Sequence, residues 1–303
     1  MDFGKLLSVD RVNFTLNPEP PDNLTVLSDI VPPDKPAIYL GATGYNMKPW
    51  VGRWYPAGAK EKDFLRYYGS QFNSIEHNTT HYSIPDTVTI AKWREETPAD
   101  FKFCPKIPQT ISHSRDIGIN SGQIQQFCAV IQALAPKIGT CFLQLPPYLE
   151  LKDIAKLVRF FEVWPANIPL SVEVRHESFF NSGADAATYF QLLQENNIIA
   201  VITDVAGRRD ACHLRLTANK TLIRFVGNGL HPTDYSRIID WSRVLKRWTD
   251  YGLQEVYFFT HEPDNLLAPD LAQFCETTFS AAMPTVSIRG PRAMIQSVQG
   301  TLF

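Results

Sequence analysis

The sequence predicts an α/β fold, a TIM-like (β/α)8 barrel of parallel strands preceded by an irregular N-terminal arm. Two observations carry this: short apolar, β-branched runs alternate with amphipathic stretches almost to the C-terminus, and the runs number eight. The arm covers 1–36, where Pro18, Pro20, Pro21, Pro32, Pro33 and Pro36 break any periodicity. A barrel domain at 37–283 and a tail at 284–303 follow. Strands are expected at 38–42, 73–78, 101–106, 139–144, 171–175, 199–203, 222–226 and 256–260. Helices are expected at 61–71, 87–96, 121–136, 151–162, 185–196, 235–251 and 265–280. In 121–136, Ile124, Phe127, Cys128, Ile131, Leu134 and Ala135 recur at helical spacing. Only the stretch between the sixth and seventh strands lacks a helical pattern, because Gly207-Arg208-Arg209-Asp210 reads as a turn. A nucleotide-binding doubly wound sheet would carry a GxGxxG loop after its first strand, and Gly41-Ala42-Thr43-Gly44-Tyr45 is too short for one.

Composition narrows the function classes. With 303 residues, 44% hydrophobic and 20% charged, and with 19 Phe, 11 Tyr and 6 Trp, the chain is built to fold around a large core. A formal charge of −2 supplies no general attraction to nucleic acid or anionic membranes, so an anion site has to be local. The five cysteines are widely spaced and contain no CxxC pair, which points to reduced thiols and a cytoplasmic location. No apolar run approaches the ~18 residues that span a bilayer, and Met1-Asp2-Phe3-Gly4-Lys5 does not open a secretory signal. No Walker loop, HExxH or GxSxG is present, and no cofactor or metal is assigned. No heptad run or symmetric patch indicates an oligomeric state.

In a barrel the C-terminal strand ends build the site. The run Ser171-Val172-Glu173-Val174-Arg175-His176 places Glu173 and Arg175 on one face by its period of two, and buried charges persist mainly when paired or chemically active. The second strand contributes Glu76 and Asn78 to one face, with His77 turned to the helices. The third contributes Lys106, and the fourth ends in Gln144 before Pro146-Pro147. The sixth sets Ala200, Ile202 and Asp204 in register, and the seventh offers Arg224 below Asn228. Three acids and three bases therefore converge, as a neutralising structural network or as an acid–base site. Glu76, Lys106, Glu173, Arg175 and Asp204 are the catalytic candidates. Tyr45, Trp50, Asn78, Tyr82, His113, Gln144, His176, Arg224 and Asn228 are the candidates for contacting a ligand, although aromatic residues in loops equally serve packing.

Several segments together resemble one family. They are Gly41-Ala42-Thr43-Gly44-Tyr45 with Trp50; Phe72-Asn73-Ser74-Ile75-Glu76-His77-Asn78 with Thr80-His81-Tyr82; Trp93 with Thr97-Pro98; Phe101 to Lys106; Gln144-Leu145-Pro146-Pro147; and Glu173-Val174-Arg175-His176. In order and spacing they resemble the YecE-like family, domain of unknown function family 72, over about 38–280. The resemblance implies a TIM-barrel-type fold and no established reaction. Two departures stand out: such proteins usually carry an Arg-Leu-His-Gly-like run on strand seven and paired asparagines at the end of strand eight. This chain has Arg224-Phe225-Val226-Gly227-Asn228 and Thr260-His261, so His231 or His261 is a candidate replacement for the missing histidine.

Three functions fit these residues. The first is an enzyme that works by acid–base chemistry on a small polar or anionic substrate, with Glu76 or Glu173 as acid or base and Arg175 and Arg224 as anion holders; Lys106 could instead form a Schiff base. The second is a metal-dependent hydrolase, isomerase or nuclease. The third is a non-catalytic barrel that binds a ligand or a nucleic acid, the latter unsupported by net charge.

Overall fold

A computed structural model describes residues 3–28, 35–181 and 184–294; Pro32, Pro33 and the tail from 295 lie outside the described residues. The barrel strands are β1 (Ala37–Gly41), β2 (Ser74–His77), β3 (Lys102–Pro105), β4 (Cys141–Gln144), β5 (Leu170–Glu173), β6 (Ile199–Asp204), β7 (Lys220–Val226) and β8 (Glu255–His261). All their pairings are parallel. The helices are α1 (Asp22–Ser28), α2 (Phe64–Gln71), α3 (Thr87–Glu96), α4 (Gln109–Ser112), α5 (Gln123–Ile131), α6 (Ile154–Val163), α7 (Ala184–Glu195), α8 (Pro232–Asp250) and α9 (Ala268–Ala282). This is the α/β, TIM-like alternation that the sequence predicts.

The circle of strands is stitched rather than uniformly laddered. One ladder runs β4-β5-β6-β7-β8-β1 and a separate pair is β2-β3. Between β1 and β2 the buried Asn73 side chain substitutes for backbone: Leu40 N donates to its Oδ1 at 2.7 Å and its Nδ2 donates to Ile38 O at 2.8 Å. Glu76 N then donates to Ala42 O at 3.1 Å. Between β3 and β4, Phe103 N donates to Lys137 O at 2.8 Å and Ile107 N to Phe142 O at 3.0 Å. The close approach at the first seam requires Gly41, since a Cβ there would sit 2.4 Å from Ser74 O.

The arm has more structure than an irregular extension. The β6–β7 connection carries only a 3-10 turn, Arg209–Ala211, and the arm, including α1, lies along it. Asn17 donates to Cys212 O at 3.0 Å, Asn23 Nδ2 donates to Leu214 O at 2.7 Å, and Leu216 N donates to Asn23 Oδ1 at 2.8 Å. Leu27 of α1 is buried in the main core. A barrel face without its helix would leave apolar strand surface in water, and here the arm supplies the cover. At the other end of the chain, β9 (Ser287–Ile288) pairs with β1, and Arg289 Nη2 donates to Phe72 O at 3.0 Å at the foot of the first seam.

Asn73→Ala should therefore remove two backbone partners from a buried seam, at about 1–3 kcal/mol for each group left unpaired. Chemical denaturation should show a lowered midpoint with unchanged far-UV circular dichroism. A midpoint equal to that of the parent would show that the seam does not depend on this side chain.

Candidate functional site at the barrel mouth

Side chains that point into the barrel form layers. Cys104, Phe142, Val201, Leu222, Tyr257 and Phe259 make a buried apolar plug. One strand repeat above it, the inward positions become polar: Glu76, Lys106, Gln144, Glu173, Thr203, Arg224 and His261. The plug closes the floor, so these polar groups meet solvent only on the side of the C-terminal strand ends.

Arg224 organises the polar layer. Fully buried, it donates from Nε to Glu76 Oε2 at 2.9 Å, from Nη2 to Glu76 Oε1 at 3.0 Å, and from Nη1 to Glu173 Oε1 at 2.7 Å. The remaining carboxylate capacity is also taken. Asn78 Nδ2 donates to Glu76 Oε1 at 3.0 Å and His261 Nε2 donates to Glu76 Oε2 at 2.8 Å. Thr203 Oγ1 donates to Glu173 Oε1 at 2.8 Å, and Gln144 Nε2 donates to Glu173 Oε2. That orientation turns Gln144 Oε1 toward Lys106, whose Nζ donates to it at 2.8 Å. Arg175 lies 3.9 Å from Glu173 Oε2 and under the ring of Phe3 from the arm, 4.7 Å from its centroid. Thr80 Oγ1 pins the end of β3 by donating to Lys106 O at 2.7 Å.

This wiring sets the protonation states. Burial would raise Glu76 and Glu173, but Arg224 outweighs it, holding Glu76 well below the usual carboxylate range and Glu173 at about 2. Both carboxylates are therefore held in the charged form near neutral pH, which suits them to clamping Arg224 better than to the acid or base roles their sequence positions suggest. Burial, reinforced by the neighbouring Arg224, lowers Lys106 to about 8. Burial also lowers His261 against the pull of Glu76, leaving a neutral imidazole with its proton on Nε2 and its acceptor at Nδ1. At the rim His81 donates from Nδ1 to Ile107 O at 2.9 Å, and burial keeps its ring neutral, down to about 4.

The structure brings together Glu76, Asn78, Lys106, Gln144, Glu173, Arg175 and Arg224. Arg224 is fully buried and clamps the two carboxylates. Asp204 is not part of the layer. The inward phase of β6 is Ile199, Val201 and Thr203, one residue away from the predicted register, and a shift of one residue turns every side chain to the other face. Asp204 instead points out toward α8, pairing with Arg209 and with Arg237 at 3.1 Å and accepting from Trp241 Nε1 at 2.9 Å. Asn228 is tied to Asp234, 3.0 Å from Nδ2 to Oδ1, and His176 caps the turn at Glu177–Phe179. Trp50 is buried among Tyr68 and Phe72 and donates to Leu266 O at 3.1 Å. Tyr45 packs on Tyr68 and on the outward-facing His77. Tyr82 and His113 stand exposed at the rim, His113 5.5 Å from His81. Of the two candidate replacement histidines, His261 joins the site, while His231 caps α8. Thr203 and His81 are further additions. The signal for His261 and Thr203 was register: both share the inward phase of their strands.

Two surface grooves lie elsewhere, one beside Glu150 and Ser178, the other beside Gln71 and Arg289. Among the described residues no group of three or more His, Cys, Asp or Glu side chains is arranged to hold a metal ion. No helix among them is long and apolar enough to cross a membrane.

Comparison with known proteins gives a consistent result. The family model described as "Protein of unknown function DUF72" matches residues 39–293. The UPF0759 protein YecE of Escherichia coli (strain K12) is 30% identical over 267 residues, 82% of this chain and 95% of that protein. The UPF0759 protein YunF of Bacillus subtilis (strain 168) is 28% identical over 201 residues, 63% of this chain and 70% of that protein. Among solved structures, a DUF72 family protein from Enterococcus faecalis V583 superposes with a TM-score of 0.65 at 19% identity, covering 82% of this chain and 99% of that one. Another, from Thermotoga maritima MSB8, superposes with a TM-score of 0.59 at 20% identity, covering 81% and 98%. At these identities the structural likeness shows the shared fold.

The depressed acidity of Glu173 has a defined pH signature. Its contribution to stability is fully present above the ordinary carboxyl value of 4.5 and is lost as pH falls toward about 2, where the folded-state group takes its proton. Urea midpoints measured from pH 6 to pH 2 should fall most steeply across that window, and Glu173→Gln, less stable at pH 7, should show a shallower fall. Parallel profiles for the two proteins would mean that Glu173 titrates normally when folded.

Proposed function

Starting from the fact that the chain belongs to the DUF72 family, whose description assigns no activity, we propose that its barrel mouth binds a small anionic substrate and transfers a proton to or from it. The observation that carries this reading is that Lys106 meets the neutral amide of Gln144 rather than a carboxylate, with the Arg175 guanidinium close by at the same strand ends. Lys106 and Arg175 lie on the solvent side of this layer. Arg224 is sealed in, whereas Lys106 and Arg175 keep 7% and 13% of their surface or side chain exposed and His261 keeps 12%. A carboxylate or phosphate at the mouth would accept charge-assisted hydrogen bonds from Lys106 and Arg175.

His261 is the group fitted to proton transfer. Glu76 orients it as a buried carboxylate orients a catalytic imidazole, holding the tautomer that presents Nδ1 as a base and stabilising the imidazolium that results. Lys106, close to neutral pH in its titration, is a second acid or base within the same layer. The metal-dependent reading has less support, because Arg224 already occupies the carboxylate oxygens that a divalent cation would need. A non-catalytic binding role keeps the same anion and dispenses with His261. Five buried, free thiols support a reducing compartment such as the cytoplasm.

Thermal unfolding in inorganic phosphate, with sodium chloride matched for ionic strength, tests the anion site. The parent protein should be stabilised by about 3 kcal/mol at a hundredfold excess over the dissociation constant, and Lys106→Met and Arg175→Gln should lose most of that response. Equal stabilisation of all three proteins would remove the mouth from consideration as the anion site.

A further inference from the structure

We propose that Lys106 is a covalent nucleophile that forms an imine with a small carbonyl compound carrying a carboxylate or phosphate, which extends the anion-site reading and rests on it. The geometry comes first. Both carboxylates near Lys106 are claimed by Arg224, so the hydrogen-bond acceptor left to its Nζ is a neutral amide, Gln144 Oε1, at 2.8 Å. A lysine that serves only to neutralise charge would be expected to face a carboxylate directly. Gln144 Oε1 accepts from an ammonium more strongly than from a neutral amine but supplies no counter-charge, so it positions Nζ while favouring the cation far less than a carboxylate would. Its own orientation is set by donation to Glu173, which makes it a positioning residue.

The surroundings favour the uncharged amine. Nζ is buried against Phe142, 5.7 Å from the ring centroid, and the attraction of that ring face for a cation is opposed by burial and by the Arg224 guanidinium over the same ring at 5.3 Å. The groups that face Lys106 are Glu76 from β2, Gln144 from β4, Glu173 and Arg175 from the β5 strand end, Arg224 from β7, and His81 and His113 at the rim. Burial and the cationic neighbours outweigh the two carboxylates, and an appreciable fraction of Lys106 is therefore neutral near pH 7.5. The apolar plug beneath leaves one direction of approach, from the mouth, where Arg175 would hold the anionic end of the incoming compound.

The chemistry closes without an additional reagent. The Nζ lone pair adds to the carbonyl carbon, the C=O π pair moves to oxygen, and a proton passes from nitrogen to that oxygen, giving a carbinolamine. Expulsion of the hydroxyl, protonated by a solvent proton relayed through His261 Nδ1, releases water as the nitrogen pair forms the C=N bond of a protonated iminium and returns His261 to its neutral form. His261 Nδ1 is then the base placed to take a proton from the carbon next to the iminium.

Borohydride trapping of the full-length protein tests the proposal, with peptide mass spectrometry to locate the adduct. The arms are pyruvate, dihydroxyacetone phosphate and, as the uncharged comparison, acetone, each with and without inorganic phosphate as competitor. Reduced adduct at Lys106 should exceed that at exposed lysines by a factor on the order of a hundred, the ratio of neutral fractions near pH 7.5 between a group titrating at about 8 and an ordinary lysine. The arm that reacts more strongly identifies the carboxylate or the phosphate as the preferred anion, and Lys106→Met should abolish the signal. Labelling of Lys106 by acetone as strongly as by both anions would overturn the substrate class. Absence of adduct in every arm, with phosphate stabilisation intact, overturns the imine and leaves the anion site standing; absence of both overturns the two together.

Discussion

The buried guanidinium of Arg224 is the constraint on which the mouth of this barrel depends. A cation sealed under solvent is tolerable only with its charge matched and its donors filled, and Glu76 and Glu173 on strands from opposite sides of the barrel do both. The pairing is specific because Arg224 presents a rigid planar fork, which fixes both carboxyl planes and, through them, Asn78, His261, Thr203 and Gln144. Removing the arginine alone would leave two uncompensated buried carboxylates, typically a loss of about 3–5 kcal/mol.

The same pairing decides which groups remain for chemistry. By consuming both carboxylates, Arg224 leaves Lys106 facing an amide and His261 facing an ionised acid; Lys106 is thereby brought down to about 8, and His261 is held as a neutral imidazole. Structural and functional accounts of the charges are thus layered rather than competing: the lower tier holds the strands in register, and the upper tier, Lys106, Arg175 and His261, faces whatever enters. Phe3 on Arg175 and Arg208 brings the N-terminal arm to the edge of this tier, continuing the cover that α1 gives to the β6–β7 face.

Much of the fold was legible because alternation of apolar runs is a long-range, redundant signal. The strand ends of β2, β3, β5 and β7 were legible because each sets a charged residue in the inward phase of an otherwise largely apolar run, and the end of β4 was marked by Gln144 before Pro146-Pro147. β6 was misread for a physical reason. Ile199-Ala200-Val201-Ile202-Thr203-Asp204 is apolar on both faces, so only its last two residues could show the phase, and the charge of Asp204 was the louder of the two. Its true partners, Arg209 and Arg237, belong to a turn and a helix that no strand pattern reveals. Asn73 is a similar case: a polar residue beginning a strand gives no hint that its amide substitutes for backbone in a barrel seam.

The charge state of Lys106 is where the organising role of Arg224 becomes directly measurable. Rates of acylation at Lys106 by acetic anhydride, followed by peptide mass spectrometry from pH 6 to pH 11, report its titration without disturbing the network. A midpoint near 8 is expected if Arg224 claims both carboxylates and leaves the amine to Gln144. A midpoint at the ordinary lysine value of 10.5 would show that Lys106 keeps a carboxylate partner in solution, and would contradict this arrangement of the site.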